Sequence, residues 1–185
     1  MIGAVLAGGA GRRLGHPSKA AAPLAGRPLL SYPVAALAEI CDLVAVVCKP
    51  DTELPDLEGA ERWEEPAEPR HPLTGIAHAL ERAGEPVLVC AADMPFVTAD
   101  ACQTLLRSGG DAPAAVAVAA GVLQPVFAVY APAALDVFRE APADAPLTAT
   151  VEALDPIRVA FPPSLVRSVN TPEDLAAAEE ALSRA

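Results

Sequence analysis

The chain has 185 residues, 52% of them apolar, which fits one domain with a single sizeable core, residues 1–185. No stretch of about 18 apolar residues is free of charge or proline, so no membrane span is expected, and no basic leader precedes the apolar run at Ile2, which makes the cytoplasm the expected location. A net charge of −11 argues against nucleic acid as a partner. The charge is uneven: residues 1–38 hold Arg12, Arg13, Lys19 and Arg27 with no Asp or Glu, while all 24 acidic residues lie beyond them. An acid-free basic segment in an acidic protein points to a local anion site.

In chain order, Ile2–Leu6 reads as a buried strand that runs into a glycine turn. Pro28–Ile40 has helical spacing, with Pro33 kinking it or marking its first turn. Leu43–Cys48 is a second buried strand. Lys49–Pro72, rich in acid and proline, reads as largely irregular with a short strand near Arg62 and Trp63. Leu73–Ala83 is predicted helical, Pro86–Ala92 a third buried strand, and Thr98–Arg107 a helix capped by Thr98. Strands at Ala114–Ala119 and Pro125–Tyr130, a helix at Ala133–Arg139 and an edge strand at Ile157–Phe161 follow. The last element is a helix, Thr171–Ser183, with Pro172 in its first position. Strands alternating with helices imply a three-layer α/β fold, a mostly parallel sheet covered on both faces, with its ligand site beyond the carboxyl ends of the strands.

Two motifs fall at those ends. The first is Leu6-Ala7-Gly8-Gly9-Ala10-Gly11-Arg12-Arg13-Leu14-Gly15, followed by Lys19. Its glycines allow close backbone approach, its free N–H groups can cradle phosphate, and Arg13 and Lys19 can neutralise the charge. It matches neither the P-loop nor the dinucleotide fingerprint, and a tight turn without a ligand fits it equally. The second is Cys90-Ala91-Ala92-Asp93-Met94-Pro95, which puts a carboxylate at a strand end. Asp93 there suits either Mg²⁺, which takes few carboxylates together with substrate phosphate oxygens, or the cap of the next helix.

Other residues read more simply. The four cysteines form no C-x-x-C pair and are expected to be reduced and mostly buried. Trp63 and Tyr130 are expected in the core or at its rim, and His78 on a helix surface. Asn170 either contacts a substrate or caps the last helix, capping being the preferred reading.

Taken together the motifs resemble the MobA-like nucleotidyltransferases. The resemblance rests on Leu6-Ala-Gly-Gly-x-x-x-Arg13-Leu14-Gly15-x-x-x-Lys19, Gly26-Arg27-Pro28-Leu29, Pro72-Leu73-Thr74-Gly75-Ile76, Asp93-Met94-Pro95-Phe96, Gln124-Pro-Val-Phe-Ala-Val-Tyr130 and Asn170-Thr-Pro-Glu-Asp-Leu175. It implies a Rossmann-like sheet of the nucleotide-diphospho-sugar transferase type. It also implies Mg²⁺-dependent transfer of GMP from GTP to the phosphate of the molybdenum cofactor, molybdopterin. By the same resemblance Leu6, Ala7, Gly8 and Gly9 hold the nucleotide, Lys19 and Arg13 its phosphates, and Asp93 the metal. An acid before P-L-x-G-I falls at Glu64, with Glu65 the alternative register. Ser18, His71 and the lack of an Asn near Val47 and Cys48 depart from the family pattern, which leaves sibling activities open: a molybdopterin cytidylyltransferase or a phospholactate guanylyltransferase. A non-catalytic nucleotide binder is the alternative of another class.

Overall fold

A computed structural model describes residues 1–8, 18–56, 58–142 and 145–184. Seven strands form one sheet in the order β5-β4-β1-β6-β8-β7-β9. The strands are β1 (Ile2–Leu6), β4 (Leu43–Cys48), β5 (Ala60–Glu64), β6 (Val87–Ala91), β7 (Ala114–Ala119), β8 (Val122–Tyr130) and β9 (Ile157–Ala160). β1 pairs in parallel with β4 and β6, β4 with β5, and β7 with β9. Only β8 runs against its neighbours.

The apolar runs are continuous because both faces of the sheet are covered. Side chains alternate across a strand. Val44, Val46, Cys48, Leu88 and Cys90 therefore pack on the face carrying α1 (Ser31–Ala38) and α3 (Ala99–Gly109). Ala45, Val47, Val87 and Val89 pack on the opposite face, under α2 (Pro72–Ala83), α4 (Leu135–Glu140) and α5 (Leu147–Glu152). Gly3 lets α1 settle onto β1: a Cβ there would lie 2.8 Å from Leu37 Cδ2.

Most expected elements are present, with differences that have local causes. Pro33 sits in the first turn of α1, where its missing N–H costs nothing. β8 starts three residues before its expected first residue, at Val122, and runs through Pro125. That is possible because the β7–β8 register shifts there, from Val116↔Ala128 to Ala117↔Gln124, so the proline interrupts no ladder bond to β7. Two elements had no sequence signal: α5, and a hairpin of β2 (Pro23–Leu24) with β3 (Arg27–Pro28). The hairpin turn is Ala25-Gly26, both at positive φ. Trp63 and Tyr130 are buried; the Tyr130 hydroxyl donates to Pro125 O at 2.6 Å and its ring meets Phe138 edge-on. His78 is half-buried on α2 and not fully at the surface: its Nε2 is buried with no partner among the described residues, and burial lowers the imidazole pKa. All four cysteines are free thiols, three of them buried. Among the described residues no helix is long and apolar enough to cross a membrane.

Candidate active site

The carboxyl ends of β1, β4, β5 and β6 open onto a cavity of about 300 Å³. Backbone bonds beyond the strands hold its floor: Ala7 N donates to Val47 O at 2.8 Å, and Ala92 N donates to Leu6 O at 3.0 Å. The segment Leu6–Gly8 is thereby fixed between β4 and β6, and all three of its residues line the cavity.

At one end stand Lys19, Asp93 and Asn170. Asp93 lies two residues past β6, and its carbonyl accepts from Val169 N at 2.9 Å. That bond brings the chain ahead of α6 (Pro172–Leu182) against the strand end. The Lys19 ammonium donates to Asp93 Oδ2 and, at 2.6 Å, to Asn170 Oδ1. Asn170 is not the cap of α6. Thr171 is: its Oγ1 accepts from Asp174 N at 3.2 Å, while Asp174 Oδ2 accepts from the N–H groups of Asn170 and Thr171, both at 2.9 Å. Those two backbone donors hold the Asp174 carboxyl below its usual range. The capping box orients the backbone of Asn170 and leaves its side chain for Lys19.

At the other end stand Lys49 and Glu65, both buried, with Lys49 Nζ 3.3 Å from Glu65 Oε2. Their placement follows from strand parity. Lys49 shares a face with Val47, and Glu65 shares one with the buried Trp63, so both point to the α2 side of the sheet. Here Glu64 needs correction. It alternates outward, pairs with Arg62 at 2.9 Å and is about half exposed, while Glu65 lines the cavity. Burial pushes the Glu65 carboxyl above its usual range, and Lys49 pulls it back down in part. Glu65 also shapes two glycine positions: a Cβ on Gly8 would lie 2.9 Å from its Oε1, and one on Gly75 3.3 Å from its Oε2. Arg70 and His71 complete this wall. His71 occupies the N-cap of α2, its Nδ1 accepting from Leu73 N at 3.3 Å, so a neutral ring carries its proton on Nε2.

Leu6, Ala7, Gly8, Lys19 and Asp93 thus meet in one cavity. Gly9 and Arg13 lie outside the described residues. Lys49, Arg70 and Ser168 were not singled out from sequence, yet they line the same space. For Lys49 a signal existed: a charged residue directly after a fully apolar strand, on the face fixed by Val47. A metal is a question of donors. Among the described residues no group of three or more His, Cys, Asp or Glu could hold one. A lone strand-end carboxylate does fit Mg²⁺ that shares its coordination with phosphate oxygens and water.

The sheet and its strand-end cavity, together with the relatives that follow, place the chain among the nucleotidyltransferases of the nucleotide-diphospho-sugar transferase fold. The family model for the MobA-like NTP transferase domain matches residues 3–157, and the chain belongs to that family. A molybdenum cofactor guanylyltransferase of Cereibacter sphaeroides is 31% identical, with 100% of this chain and 98% of the relative covered. A probable molybdenum cofactor guanylyltransferase of Natronomonas pharaonis is 30% identical, with 98% of each covered. Among solved structures, molybdopterin-guanine dinucleotide biosynthesis protein A from Archaeoglobus fulgidus aligns over 100% of both chains, with a TM-score of 0.78 and 25% identity.

Proposed function

We propose that this enzyme transfers GMP from GTP to the terminal phosphate of the molybdenum cofactor, molybdopterin, and releases diphosphate. The observation that carries the reading is the cluster of Lys19, Asp93 and Asn170 at the carboxyl ends of β1 and β6. An acceptor phosphate oxygen attacks the α-phosphorus of GTP; the α–β bridging P–O bond breaks and diphosphate leaves. The acceptor is already anionic, so no protein base is needed. What the reaction requires is positioning and charge neutralisation.

In this reading the backbone of Leu6–Gly8 seats the nucleotide, with Gly9 and Arg13 extending the phosphate contacts. Lys19 leaves its partners to bind triphosphate oxygens. Asp93 would hold Mg²⁺, which would supply Lewis-acid stabilisation of the phosphates. Asn170, released from Lys19, is free to orient the acceptor. Glu65, in place of Glu64, faces the base: its buried oxygens suit the N1–H and 2-amino donors of guanine. The four free thiols fit a reducing cytoplasm.

Diphosphate release from GTP, CTP, UTP and ATP, each with Mg²⁺ and molybdopterin, tests the proposal. GTP should be preferred by about tenfold or more, equivalent to roughly 1.4 kcal/mol. Faster release from CTP would move the chain to the cytidylyl branch, and release without molybdopterin at the same rate would discard the acceptor.

A further inference from the structure

Among the described residues Lys49 is the largest fully buried charged side chain, 2% exposed, and the proposed transfer chemistry does not use it. Its ammonium donates to the carbonyls of Pro66 at 2.7 Å and Pro69 at 2.8 Å, and it sits 3.3 Å from Glu65 Oε2. The two carbonyls belong to the connection from β5 to α2, to which Thr74 Oγ1 also donates, at Pro69 O. One buried cation therefore ties down the loop that ends in Arg70 and His71, and faces the carboxylate beside it.

Glu65 is held but not used up. Its backbone N donates to Cys48 O at 2.9 Å, which fixes its position past the end of β5. Its Oε2 is buried and has no hydrogen-bond partner among the described residues; Lys49 Nζ stands 3.3 Å from it as an ion pair. A buried carboxylate oxygen without a donor is costly, and it lines the cavity. Gly8 and Gly75 leave room against both oxygens.

We propose that Lys49 is a positioning and specificity-determining residue: it keeps Glu65 ionised and aimed into the cavity, so that the carboxylate selects a base edge presenting two adjacent N–H donors. The inference rests on the guanine reading given above. Guanine offers such an edge through N1–H and its 2-amino group. Adenine and cytosine place a ring acceptor beside their amino group, which would face the carboxylate with a lone pair. Among the described residues few titratable groups surround Glu65. Lys49 faces it from the end of β4 and Arg70 from the loop, Cys48 lies beside them on the opposite face of the sheet, and His78 of α2 is near Lys49. Burial drives the carboxyl toward its neutral form, and Lys49 is the leading opposing charge, ahead of Arg70. A protonated Glu65 would lose its match to the paired donors.

The test compares binding of Mg²⁺–GTP with Mg²⁺–ITP, which lacks only the 2-amino group, across pH by calorimetry. Wild type should favour GTP by about tenfold or more, the range of one hydrogen bond to a charged acceptor. Lys49→Gln keeps two donors for Pro66 O and Pro69 O but removes the charge. It should lose the GTP preference at neutral pH and regain it as pH rises, while ITP binding changes little. Lys49→Arg should keep the wild-type profile, and Glu65→Gln should bind the two nucleotides alike at every pH. Equal loss of GTP and ITP in Lys49→Gln at all pH would make Lys49 merely structural. An unchanged ratio and profile in that variant, or a shifted profile in Lys49→Arg, would equally overturn the proposal. Tighter binding of CTP than GTP by wild type would instead overturn the guanine reading, and is seen without any variant.

Discussion

The cavity has a lysine–carboxylate pair at each end, and the two pairs differ in burial. Lys19 and Asp93 are 15% and 18% exposed, whereas Lys49 and Glu65 are 2% and 5% exposed. A pair that keeps contact with solvent can exchange its partner for a phosphate or a cation at modest cost. A fully buried pair cannot, because separating it strands a charge away from water. In the proposed reading the same two side-chain types serve opposite ends: a replaceable pair for the phosphates and a fixed pair for the base.

The largest expected effect lies at the exposed end. Asp93→Ala should reduce kcat/KM for transfer by about 100-fold or more, the scale of losing one aligned electrostatic group. Thermal unfolding should stay close to wild type, because Asp93 is bound into the fold by its carbonyl through Val169 N. Turnover near the wild-type rate would remove Asp93 from the chemistry.

Lys19→Ala sharpens the contrast between the ends. It should weaken GTP binding by roughly 1.5–3 kcal/mol, the worth of a hydrogen bond to a charged group. Guanosine, which has no phosphates, should bind the variant and wild type alike. Equal losses for both ligands would show that the two ends do not divide the nucleotide as proposed.

Thr171→Ala removes the hydroxyl of the capping box that presents Asn170. Urea unfolding should show a loss of about 1 kcal/mol. KM for the acceptor should rise while GTP binding holds; an unchanged KM would separate the helix cap from the site.

The smallest effect is a slope. Burial holds the folded Glu65 carboxyl above its ordinary value of 4.5. A carboxyl raised on folding stabilises the fold fully below its unfolded pKa, and that contribution is lost as pH rises through the folded value. Glu65→Gln has no such loss. Its stability deficit against wild type should therefore shrink as pH rises from about 4.5, read from urea unfolding at a series of pH values. A deficit that grew over that range would mean that Lys49 outweighs burial at this site.

The two ends also differed in how far the sequence disclosed them. Lys19 and Asp93 sit next to a glycine turn and an apolar strand, patterns that chain-local reasoning detects. Glu65 did not stand out among the neighbouring acids, and its side chain is placed by parity with Trp63, which only the pairing of β5 with β4 makes visible. Lys49 opens the segment read as largely irregular, and its burial depends on two carbonyls 17 and 20 residues away. Asn170 was read as a cap because Asn, Thr and Asp all suit an N-cap; the proline after Thr171 and the reciprocal Asp174 assign that task to Thr171. The strands were legible through their buried apolar runs. The β2–β3 hairpin was not, because Ala25 stands where a two-residue turn ordinarily calls for Gly, Asn or Asp. Helix α5 was also missed, since a proline loop and two threonines mask its short pattern.

The most direct test of the account is a single competition. Molybdopterin, Mg²⁺ and equal concentrations of GTP and CTP are incubated with the enzyme, and the product is identified by mass. The account predicts that the cofactor gains GMP, with diphosphate released in equal amount. A product carrying CMP, or molybdopterin left unmodified while triphosphate is consumed, would contradict it.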